Sequence, residues 1–417
     1  MTTRRTRARR ILFTHYGDEW IRGSERCLLD LMTHLDRDRF EPVLWCNNQS
    51  LAHAARELGI EVLRTEFSVL LGWQTPRFDV NNFYRLYRTG SLLVRLFRID
   101  LIHSNSAMPC QWLNLVARRH RIPLVTHLHS PYPLRDRITL GLHHVAMAVG
   151  VSEAVIRQLR SDGMDADRTT VIHNGIDTER LRAQPTLELR GLLGYADDDL
   201  VIATIGSLVH RKGVDLLIEA VTKARLHGVP AKLVVIGDGP CMGFLREQIA
   251  SQGMQEHVHL LGECDDAFGL LCSGVDIYAS AAREEAFGLV FAEAGLASLP
   301  VIAPRSCGIP EVVHDEVTGR LFRPEDTDDA CRQIIDLYKH PSLRESLGAA
   351  GHEHVTRCFD IRNNVSRFEA LYTRLLTDDA HHLRWHSHWQ PVASMIGAVQ
   401  STLSMLTCHF GGGSKTS

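Results

Sequence analysis

The sequence lacks a long apolar run, an excess of either charge and a paired cysteine motif, and each absence excludes a class of protein. No stretch reaches the ~20 consecutive apolar residues of a membrane-spanning helix, and the apolar run behind the arginine-rich start is too short for a signal-peptide core. The 46 Lys+Arg and 49 Asp+Glu leave a formal net charge of -3, which argues against a nucleic-acid-binding protein. Ten cysteines occur without a CxxC pair, which favours free thiols over disulfides or a zinc site. We therefore expect a cytoplasmic protein.

Short β-branched runs alternate with longer helical patterns along the 417 residues. This alternation predicts an α/β protein with parallel sheets and crossover helices. The runs are nearly continuous in apolar residues, as in strands covered on both faces, and they are too many for one sheet. We therefore expect two Rossmann-like domains, at 1–185 and 186–360, because the charged segment 179–199 contains no strand candidate.

The pattern changes after about residue 360. Residues 361–377 read as an amphipathic helix with Phe368, Leu371 and Leu375 on one stripe. Residues 378–417 read as a flexible tail, and the histidines in it are interpreted as a mobile, non-catalytic tract rather than a metal site.

Two acids stand eight positions apart across an FGL turn, at Glu285 and Glu293. If Gly288 opens a helix, both carboxylates can line one cleft at the C-terminal edge of the sheet, where they suit sugar hydroxyls as acceptors. The alternative is a pair of acids placed favourably on a helix dipole.

A basic pair, Arg211 and Lys212, follows a predicted strand and the glycine that ends it, Gly206. The glycine lets the backbone turn tightly toward a ligand, and two fixed cations suit a diphosphate leaving group whose charge grows as its bond to a sugar breaks. The alternative is a solvated pair at the approach to a helix.

Several segments occur in the order and spacing of one family's motifs: VSEAVIRQL, NGID, GSLVHRKG, VVIGDGP, EAFGLVFAEA and GIPEVV. On these segments the chain resembles the retaining glycosyltransferases of family 4, the glycosyl transferases group 1, over about residues 10 to 375. The resemblance implies the GT-B fold, in which two Rossmann-like domains with parallel sheets face a central cleft. The first domain then binds the acceptor, the second binds a nucleotide-sugar, and a C-terminal helix crosses back to the first.

The resemblance also implies roles in the second domain. Arg211 and Lys212 would hold the donor diphosphate beside Gly206. Glu293 would accept hydrogen bonds from the ribose, and Glu285 would contact a hydroxyl of the transferred sugar. Backbone N–H groups near that sugar would come from Phe287, Gly288 and Leu289.

In the first domain, the resemblance places the active-site histidine at His129, which matches better than His127. Gly23 and Ser24 match a Gly-Gly-x-Glu loop that approaches the donor phosphate, with Ser24 in place of the second glycine.

Two further departures are Ser298 and Cys307, which stand where the family usually has glycine. Cysteine adopts a positive φ far less readily than glycine, so the second change could alter how closely the backbone approaches the donor.

Metal dependence is not indicated. The Asp-x-Asp pattern of manganese-dependent glycosyltransferases occurs four times, at 36–38, 165–167, 197–199 and 326–328, each time in a polar connection. Because Arg211 and Lys212 supply positive charge, we expect no metal and no cofactor, the nucleotide-sugar being a substrate.

A basic helix is predicted over residues 83–98. Its arginines fall on one side, opposite an apolar stripe: they are Arg85, Arg88, Arg95 and Arg98. Such a helix can rest on anionic lipid and bring a lipid-linked acceptor to the site. The alternative is the solvated face of an ordinary surface helix, because Gly90 interrupts the pattern.

Together these features predict a metal-independent retaining glycosyltransferase of polysaccharide biosynthesis, cytoplasmic or peripheral at the inner face of the membrane. It would move a sugar from a nucleotide diphosphate-sugar to a hydroxyl of a glycan or lipid-linked acceptor. A sugar-nucleotide epimerase and a non-catalytic sugar-nucleotide-binding protein remain as alternatives. A dinucleotide oxidoreductase is disfavoured, since no GxGxxG follows the first strand.

Overall fold

The computed structural model describes residues 7–71 and 78–377. The predicted tail, 378–417, and its histidines lie outside the described residues. The described residues form two compact units: one contains the described part of 1–173 together with 364–377, and the other contains Asn174–Asn363.

The first unit is built on seven parallel strands. They are β1 Arg9–His15, β2 Phe40–Cys46, β3 Glu61–Arg64, β4 Leu101–Ser104, β5 Leu124–Leu128, β6 Met147–Gly150 and β7 Thr169–Val171. The strand order is β3-β2-β1-β4-β5-β6-β7. The helices between the strands are α1 Gly23–His34, α2 Gln49–Glu57, α3 Val80–Leu96, α4 Cys110–His120, α5 Leu134–Thr139 and α6 Glu153–Ser161.

The second unit repeats this plan with six parallel strands. They are β8 Leu200–Ile205, β9 Ala231–Ile236, β10 Val258–Gly262, β11 Ile277–Ala279, β12 Val301–Pro304 and β13 Gly319–Phe322, in the order β10-β9-β8-β11-β12-β13. Its helices are α7 Thr178–Arg182, α8 Leu189–Leu193, α9 Val214–Leu226, α10 Met242–Ser251, α11 Ala267–Leu271, α12 Leu289–Leu296, α13 Thr327–Lys339 and α14 Pro341–Cys358. The prediction of two parallel-sheet domains is confirmed.

The central strands of both sheets are buried along nearly their whole length. In β1, Ile11, Leu12 and Phe13 have no exposed surface, and in β8 the same is true of Val201 and Ile202. Helices cover both faces of a parallel sheet, so its strands need apolar side chains on both sides. This is why the sequence shows continuous apolar runs there.

The division between the units falls between His173 and Asn174 rather than near residue 185. The charged segment that follows contains α7 and α8, and it packs on the second unit. Arg190 pairs with Asp276 at 2.8 Å, and a β-carbon on Gly269 would lie 2.0 Å from the backbone oxygen of Pro185. The segment lacks strands because it is a pair of short helices belonging to that unit.

The last described helix, α15 Ile361–Thr377, returns to the first unit. The predicted stripe of Phe368, Leu371 and Leu375 is buried. Glu369 accepts hydrogen bonds from the backbone N–H of Asp36 at 2.7 Å and from Arg39 at 2.8 Å. These contacts confirm the predicted crossing back of the final helix.

Helix α3 runs without a break through Gly90, which the sequence suggested as an interruption. A β-carbon on Gly90 would lie 3.0 Å from Val116 and 3.2 Å from the ring of Trp45. The glycine therefore lets the helix pack closely against the core. Over residues 7–71 and 78–377, no helix combines the length and the apolar character needed to cross a membrane.

Each sheet has a point where the strand order reverses direction along the chain. In the first sheet it lies between β1 and β4, and in the second between β8 and β11. Open α/β sheets bind ligands outside the carboxyl ends of the strands at such points. The fold thus indicates where to look for a site in each unit.

Candidate functional site

The reversal point of the second sheet is enclosed by two loops, which follow β8 and β11. The first loop carries a short 3₁₀ helix, His210–Lys212, and ends at Gly213 with φ +63°. A β-carbon on Gly213 would lie 1.9 Å from the carbonyl oxygen of Ala281. The backbone N–H of Arg283 also donates to the carbonyl of Arg211 at 2.9 Å. The two loops are therefore held against each other through their backbones.

This contact brings together two predicted site residues. The ammonium Nζ of Lys212 lies 2.5 Å from Oε2 of Glu285, and both side chains are largely buried, with 19% and 13% of their surface exposed. They line a small cavity. The other lining residues are Thr204, Ile205, Gly206, Val214, Val235, Tyr278, Ser280 and Val290.

Gly206, also predicted for this site, has φ +152° and lines the cavity beside the lysine. Its neighbour across the sheet, Gly237, approaches so closely that a β-carbon there would lie 2.0 Å from the Gly206 oxygen. Positive φ and close backbone approach both favour glycine. Gly237 is therefore required by the close approach of the two backbones, and Gly206 lines the cavity without a side chain that would fill it.

Glu293 lies on α12, with its side chain partly buried. Burial, together with the carboxylates of Glu293 and Glu285, raises the pKa of the Tyr278 hydroxyl. That hydroxyl lies 3.3 Å from the backbone N–H of Ile205. The charges of both predicted acids therefore influence the same buried phenol, that of Tyr278, which lines the cavity.

The segment that carries the predicted N–H donors begins α12. Gly288 has φ +85°, and a β-carbon there would lie 2.3 Å from the ring of Phe291. Leu289 is the first residue of the helix, and the buried ring of Phe287 packs edge-on against Phe359 with centroids 5.5 Å apart. The first turn of a helix has N–H groups without intrahelical partners. Such groups can donate hydrogen bonds to a phosphate or sugar oxygen.

Arg211 is placed differently from Lys212. Its side chain is exposed and is not one of those that line the cavity. Consecutive residues of a 3₁₀ helix point about 120° apart, so the lysine and the arginine cannot face the same way. Its predicted contact with the diphosphate stays a prediction.

The two departures from glycine adopt the backbone that glycine would supply. Ser298 has φ +60° and Cys307 has φ +49°. Cys307 therefore follows a left-handed backbone despite its β-carbon.

A group of hydrogen-bonded residues lies at the reversal point of the first sheet. The sequence predicted two of them, His129 and Ser24, and did not single out the other three, which are His15, Glu25 and Asn105. His129 follows β5, and its Nε2 lies 3.1 Å from Oδ1 of Asn105, which follows β4. The Nδ2 of Asn105 lies 3.2 Å from Nδ1 of His15, at the end of β1, and 3.0 Å from the backbone oxygen of Ser24. His15 Nε2 in turn lies 2.8 Å from Oε1 of Glu25.

The ionisation of this group follows from burial and hydrogen bonding. Burial favours the neutral acid at Glu25, but hydrogen bonds from His15 and from backbone N–H groups outweigh it and lower the pKa of Glu25 to about 2. Burial and the neighbouring histidines, His127 and His15, hold the pKa of His129 well below its usual range, against the opposing effect of Glu25. Near neutral pH, Glu25 is a carboxylate and His129 is an uncharged ring.

Gly23 and Ser24 form the first turn of α1. Gly23 is exposed, and Ser24 Oγ donates to Oε2 of Glu25 at 3.1 Å. The sequence analysis missed His15 and Asn105. Their position could have indicated them, because each is a polar residue at the end of a strand, and the two strands, β1 and β4, are neighbours. Only the strand order shows that these strands are neighbours.

His127 belongs to the core. Its ring lies 4.9 Å from the ring of Phe368 on α15 and 4.2 Å from that of His129. Across the described part of the chain, neither ring nitrogen has a hydrogen-bond partner.

Comparison with known families gives two matches that follow one another along the chain. The family model described as Glycosyltransferase Family 4 matches residues 21–180, and the one described as Glycosyl transferases group 1 matches residues 188–354.

Among curated proteins, a GDP-mannose-dependent alpha-(1-6)-phosphatidylinositol monomannoside mannosyltransferase of Mycobacterium tuberculosis is 32% identical over 337 residues. The match covers 75% of this chain and 83% of that protein. The N-acetyl-alpha-D-glucosaminyl L-malate synthase of Bacillus anthracis is 27% identical over 330 residues, which cover 76% of this chain and 84% of that protein.

Solved structures share the fold at lower identity. A glycosyltransferase from Rickettsia africae superposes with a TM-score of 0.77 at 18% identity, over 89% of this chain and 100% of that one. Anabaena Alr3699/HepE in complex with UDP superposes with a TM-score of 0.73 at 22% identity, over 87% of this chain and 99% of that one.

Proposed function

Since the chain belongs to the glycosyltransferases of family 4 and has the GT-B fold, we propose that it is a retaining, metal-independent enzyme of that family. It is a transferase that uses a nucleotide-sugar donor. In our proposal the transferred sugar goes to a hydroxyl of a glycan or lipid-linked acceptor. The observation that carries the proposal is the contact between Lys212 and Glu285 in the cavity at the reversal point of the second sheet.

Lys212 is the group we assign to the leaving diphosphate. When the bond between the anomeric carbon and the diphosphate oxygen breaks, negative charge grows on that oxygen, and a fixed ammonium group stabilises it most when the charge is complete. The ion pair with Glu285 holds the ammonium in place before the donor arrives. In the occupied site, Glu285 contacts a hydroxyl of the transferred sugar, and Glu293 receives the ribose hydroxyls.

Retention of configuration requires the acceptor oxygen to bond to the face of the sugar from which the diphosphate departs. The proton of the acceptor hydroxyl then passes to the departing diphosphate oxygen, so the step needs no further base. The test is incubation of donor and acceptor followed by NMR assignment of the new linkage. A product of unchanged anomeric configuration supports the proposal, and an inverted product contradicts it.

Metal independence is proposed because protein cations can replace a divalent ion at the diphosphate. Lys212 lies in the cavity, and Arg211 stands beside it in the chain. We expect transfer to continue at an unchanged rate after dialysis against EDTA. A rate that falls and is restored by Mn²⁺ or Mg²⁺ would contradict this part of the proposal.

The donor is open to direct measurement. The mycobacterial relative is named for GDP-mannose, and the Anabaena structure contains UDP. A thermal-shift screen against UDP-, GDP- and ADP-sugars identifies the donor, because a ligand at 100 times its Kd stabilises a protein by about 2.7 kcal/mol. Incubating that donor without acceptor separates transfer from epimerisation, since an epimerase would isomerise it alone. A non-catalytic binding protein would show the shift without product.

A lipid-linked acceptor is supported by the surface of α3. The helix exposes apolar side chains beside its arginines: Tyr84, Leu92 and Leu96 are 58%, 53% and 65% exposed. Arg85, Arg88 and Arg95 on the helix are also exposed, as is Arg98, which lies just beyond the end of the helix at Leu96 rather than on it as predicted. Exposed apolar side chains among arginines fit the interface of an anionic membrane. We propose that residues 83–98 rest on the inner face of the membrane, with the enzyme in the cytoplasm.

Co-sedimentation with vesicles tests the membrane contact. Wild-type protein should bind vesicles containing anionic phospholipid and leave neutral phosphatidylcholine vesicles unbound. The double variant Arg88→Glu/Arg95→Glu should lose this binding. A control with the same charge change on other helices, Arg157→Glu/Arg246→Glu, should retain it. Equal binding by both variants would contradict the assignment to α3.

A further inference from the structure

Four side chains from separate parts of the first unit form one hydrogen-bonded series. It runs from Glu25 through His15 and Asn105 to His129, with successive distances of 2.8, 3.2 and 3.1 Å. Glu25, His15 and Asn105 are almost completely buried, and His129 is partly exposed at the end of the series. We call these four residues the His129 series.

The direction of each hydrogen bond can be assigned from groups that have only one role. The backbone oxygen of Ser24 can only accept, so the atom of Asn105 that faces it at 3.0 Å must be the amide nitrogen. The same nitrogen faces Nδ1 of His15, which therefore accepts. The carboxylate of Glu25 accepts as well, so the proton of His15 lies on Nε2.

The same reasoning assigns the proton at the His129 end of the series. With the amide nitrogen of Asn105 turned toward Ser24 and His15, its Oδ1 faces His129 and can only accept. His129 must then carry its proton on Nε2. In the neutral ring the other nitrogen, Nδ1, holds a lone pair. Within the part of the chain that the structure describes, Nδ1 of His129 has no hydrogen-bond partner.

We propose that Asn105 is a positioning residue that locks His129 in one tautomer, so that Nδ1 accepts a hydrogen bond from a substrate hydroxyl. Glu25 and His15 hold the amide of Asn105 in the orientation this requires. The inference rests on the proposed function, because it takes the substrate to be a sugar or a hydroxylated acceptor. A hydroxyl can donate to a bare ring nitrogen, whereas the opposite tautomer would present a proton that only an acceptor could meet.

The tautomer is measured without substrate, by long-range ¹H–¹⁵N spectra of ¹⁵N-histidine-labelled protein. We expect the wild type to show His129 protonated on Nε2 and unprotonated on Nδ1. Asn105→Ala removes the acceptor that selects this form, and we expect a mixture of tautomers. Wild-type protein with the proton on Nδ1 would overturn the proposal even if transferase activity is found.

A second variant perturbs the series at its other end, at Glu25. In Glu25→Gln, the backbone N–H of Arg22, 3.1 Å from Oε2, keeps the amide oxygen at that position and turns the new NH₂ toward His15. His15 must then accept on Nε2 and carry its proton on Nδ1, opposite the amide nitrogen of Asn105. We expect the His129 tautomer to change in this variant although no atom of His129 is altered. An unchanged His129 tautomer would show that Glu25 does not control the orientation of the Asn105 amide.

Activity supplies the complementary readout. Asn105→Ala should raise one KM by about tenfold, the equivalent of one hydrogen bond to a substrate. A rise in the donor KM places the hydroxyl on the transferred sugar, and a rise in the acceptor KM places it on the acceptor. The control is Asn114→Ala, which removes a buried amide that bonds to the backbone oxygens of Cys110 and Gly141.

The control variant should lose stability but keep both KM values and the His129 tautomer. Equal effects of the two variants on KM would make the role of Asn105 merely structural and overturn the proposal. If the spectra agree but no donor is turned over, the series stands and the proposed function fails.

Discussion

Gly213 and Ala281 lie so close together that a β-carbon on Gly213 would be 1.9 Å from the carbonyl oxygen of Ala281. The two residues belong to the loops after β8 and β11, which carry Lys212 and Glu285. The backbone contact thus sets the position of both charged groups. It also explains why a glycine follows Lys212, since its φ of +63° suits glycine as well.

Gly213→Ala should therefore separate Lys212 from Glu285. The new methyl group has no space, so the loop must move, and we expect the transfer rate to fall by about 10²-fold, as for a displaced catalytic group. The matched control is Gly253→Ala, whose φ is +68° and whose β-carbon would meet no atom within 4 Å. It should lose about 1 kcal/mol of stability and keep its activity. Equal rates for both variants would show that the contact does not position Lys212.

Lys212→Ala should lower kcat and kcat/KM together by about 10²- to 10³-fold, because the lost interaction is strongest in the transition state. Circular dichroism should show an unchanged fold. Lys339→Ala, which removes an exposed lysine at the end of α13, should be indistinguishable from wild type. Near-normal turnover of Lys212→Ala would exclude leaving-group stabilisation by this residue.

Buried histidines should make the stability of the protein depend on pH. Burial and the nearby His129 lower the pKa of His103 to about 3, and burial with His103 holds the pKa of His127 well below its usual range. Below the ordinary histidine pKa of about 6.5, the unfolded chain binds protons that the folded chain does not. Stability therefore falls with falling pH, by about 1.4 kcal/mol per pH unit for each such ring.

His127→Phe isolates one of these rings. It should reduce the pH dependence of unfolding between pH 6.5 and 5 by about one proton, measured by urea denaturation. Leu226→Phe, which alters an exposed side chain that does not titrate, serves as the control and should leave the pH dependence unchanged. An identical slope for wild type and His127→Phe would mean that this ring takes up a proton in the folded state.

Cys307→Gly should stabilise the protein. Cys307 has φ +49°, a conformation that costs a residue with a β-carbon about 1 kcal/mol and costs glycine little. We expect a gain of about 0.5–1 kcal/mol in the free energy of unfolding. Cys307→Ala keeps the β-carbon and so keeps the strain, and it should show no comparable gain. If glycine and alanine act alike, the effect comes from the loss of the thiol.

Local patterns sufficed for much of the fold and for part of the second site. Continuous apolar runs mark strands buried on both faces, and the stripe of Phe368 and Leu375 identifies the last helix. Lys212 and Glu285 could be proposed because each lies in the loop that follows a predicted strand. The segment after residue 173 was harder, because its charges resemble those of a linker while its short helices pack on the second unit.

The sequence by itself determined which segments become strands and helices, since burial on both faces and helical periodicity are properties of neighbouring residues. The tertiary structure alone decided which strand ends are neighbours, and therefore that His15, Asn105 and His129 meet. It also decided that Lys212, and not the adjacent Arg211, faces the cavity. The physical reason is that a strand order and the direction of a side chain arise from packing between distant segments, which no local pattern records.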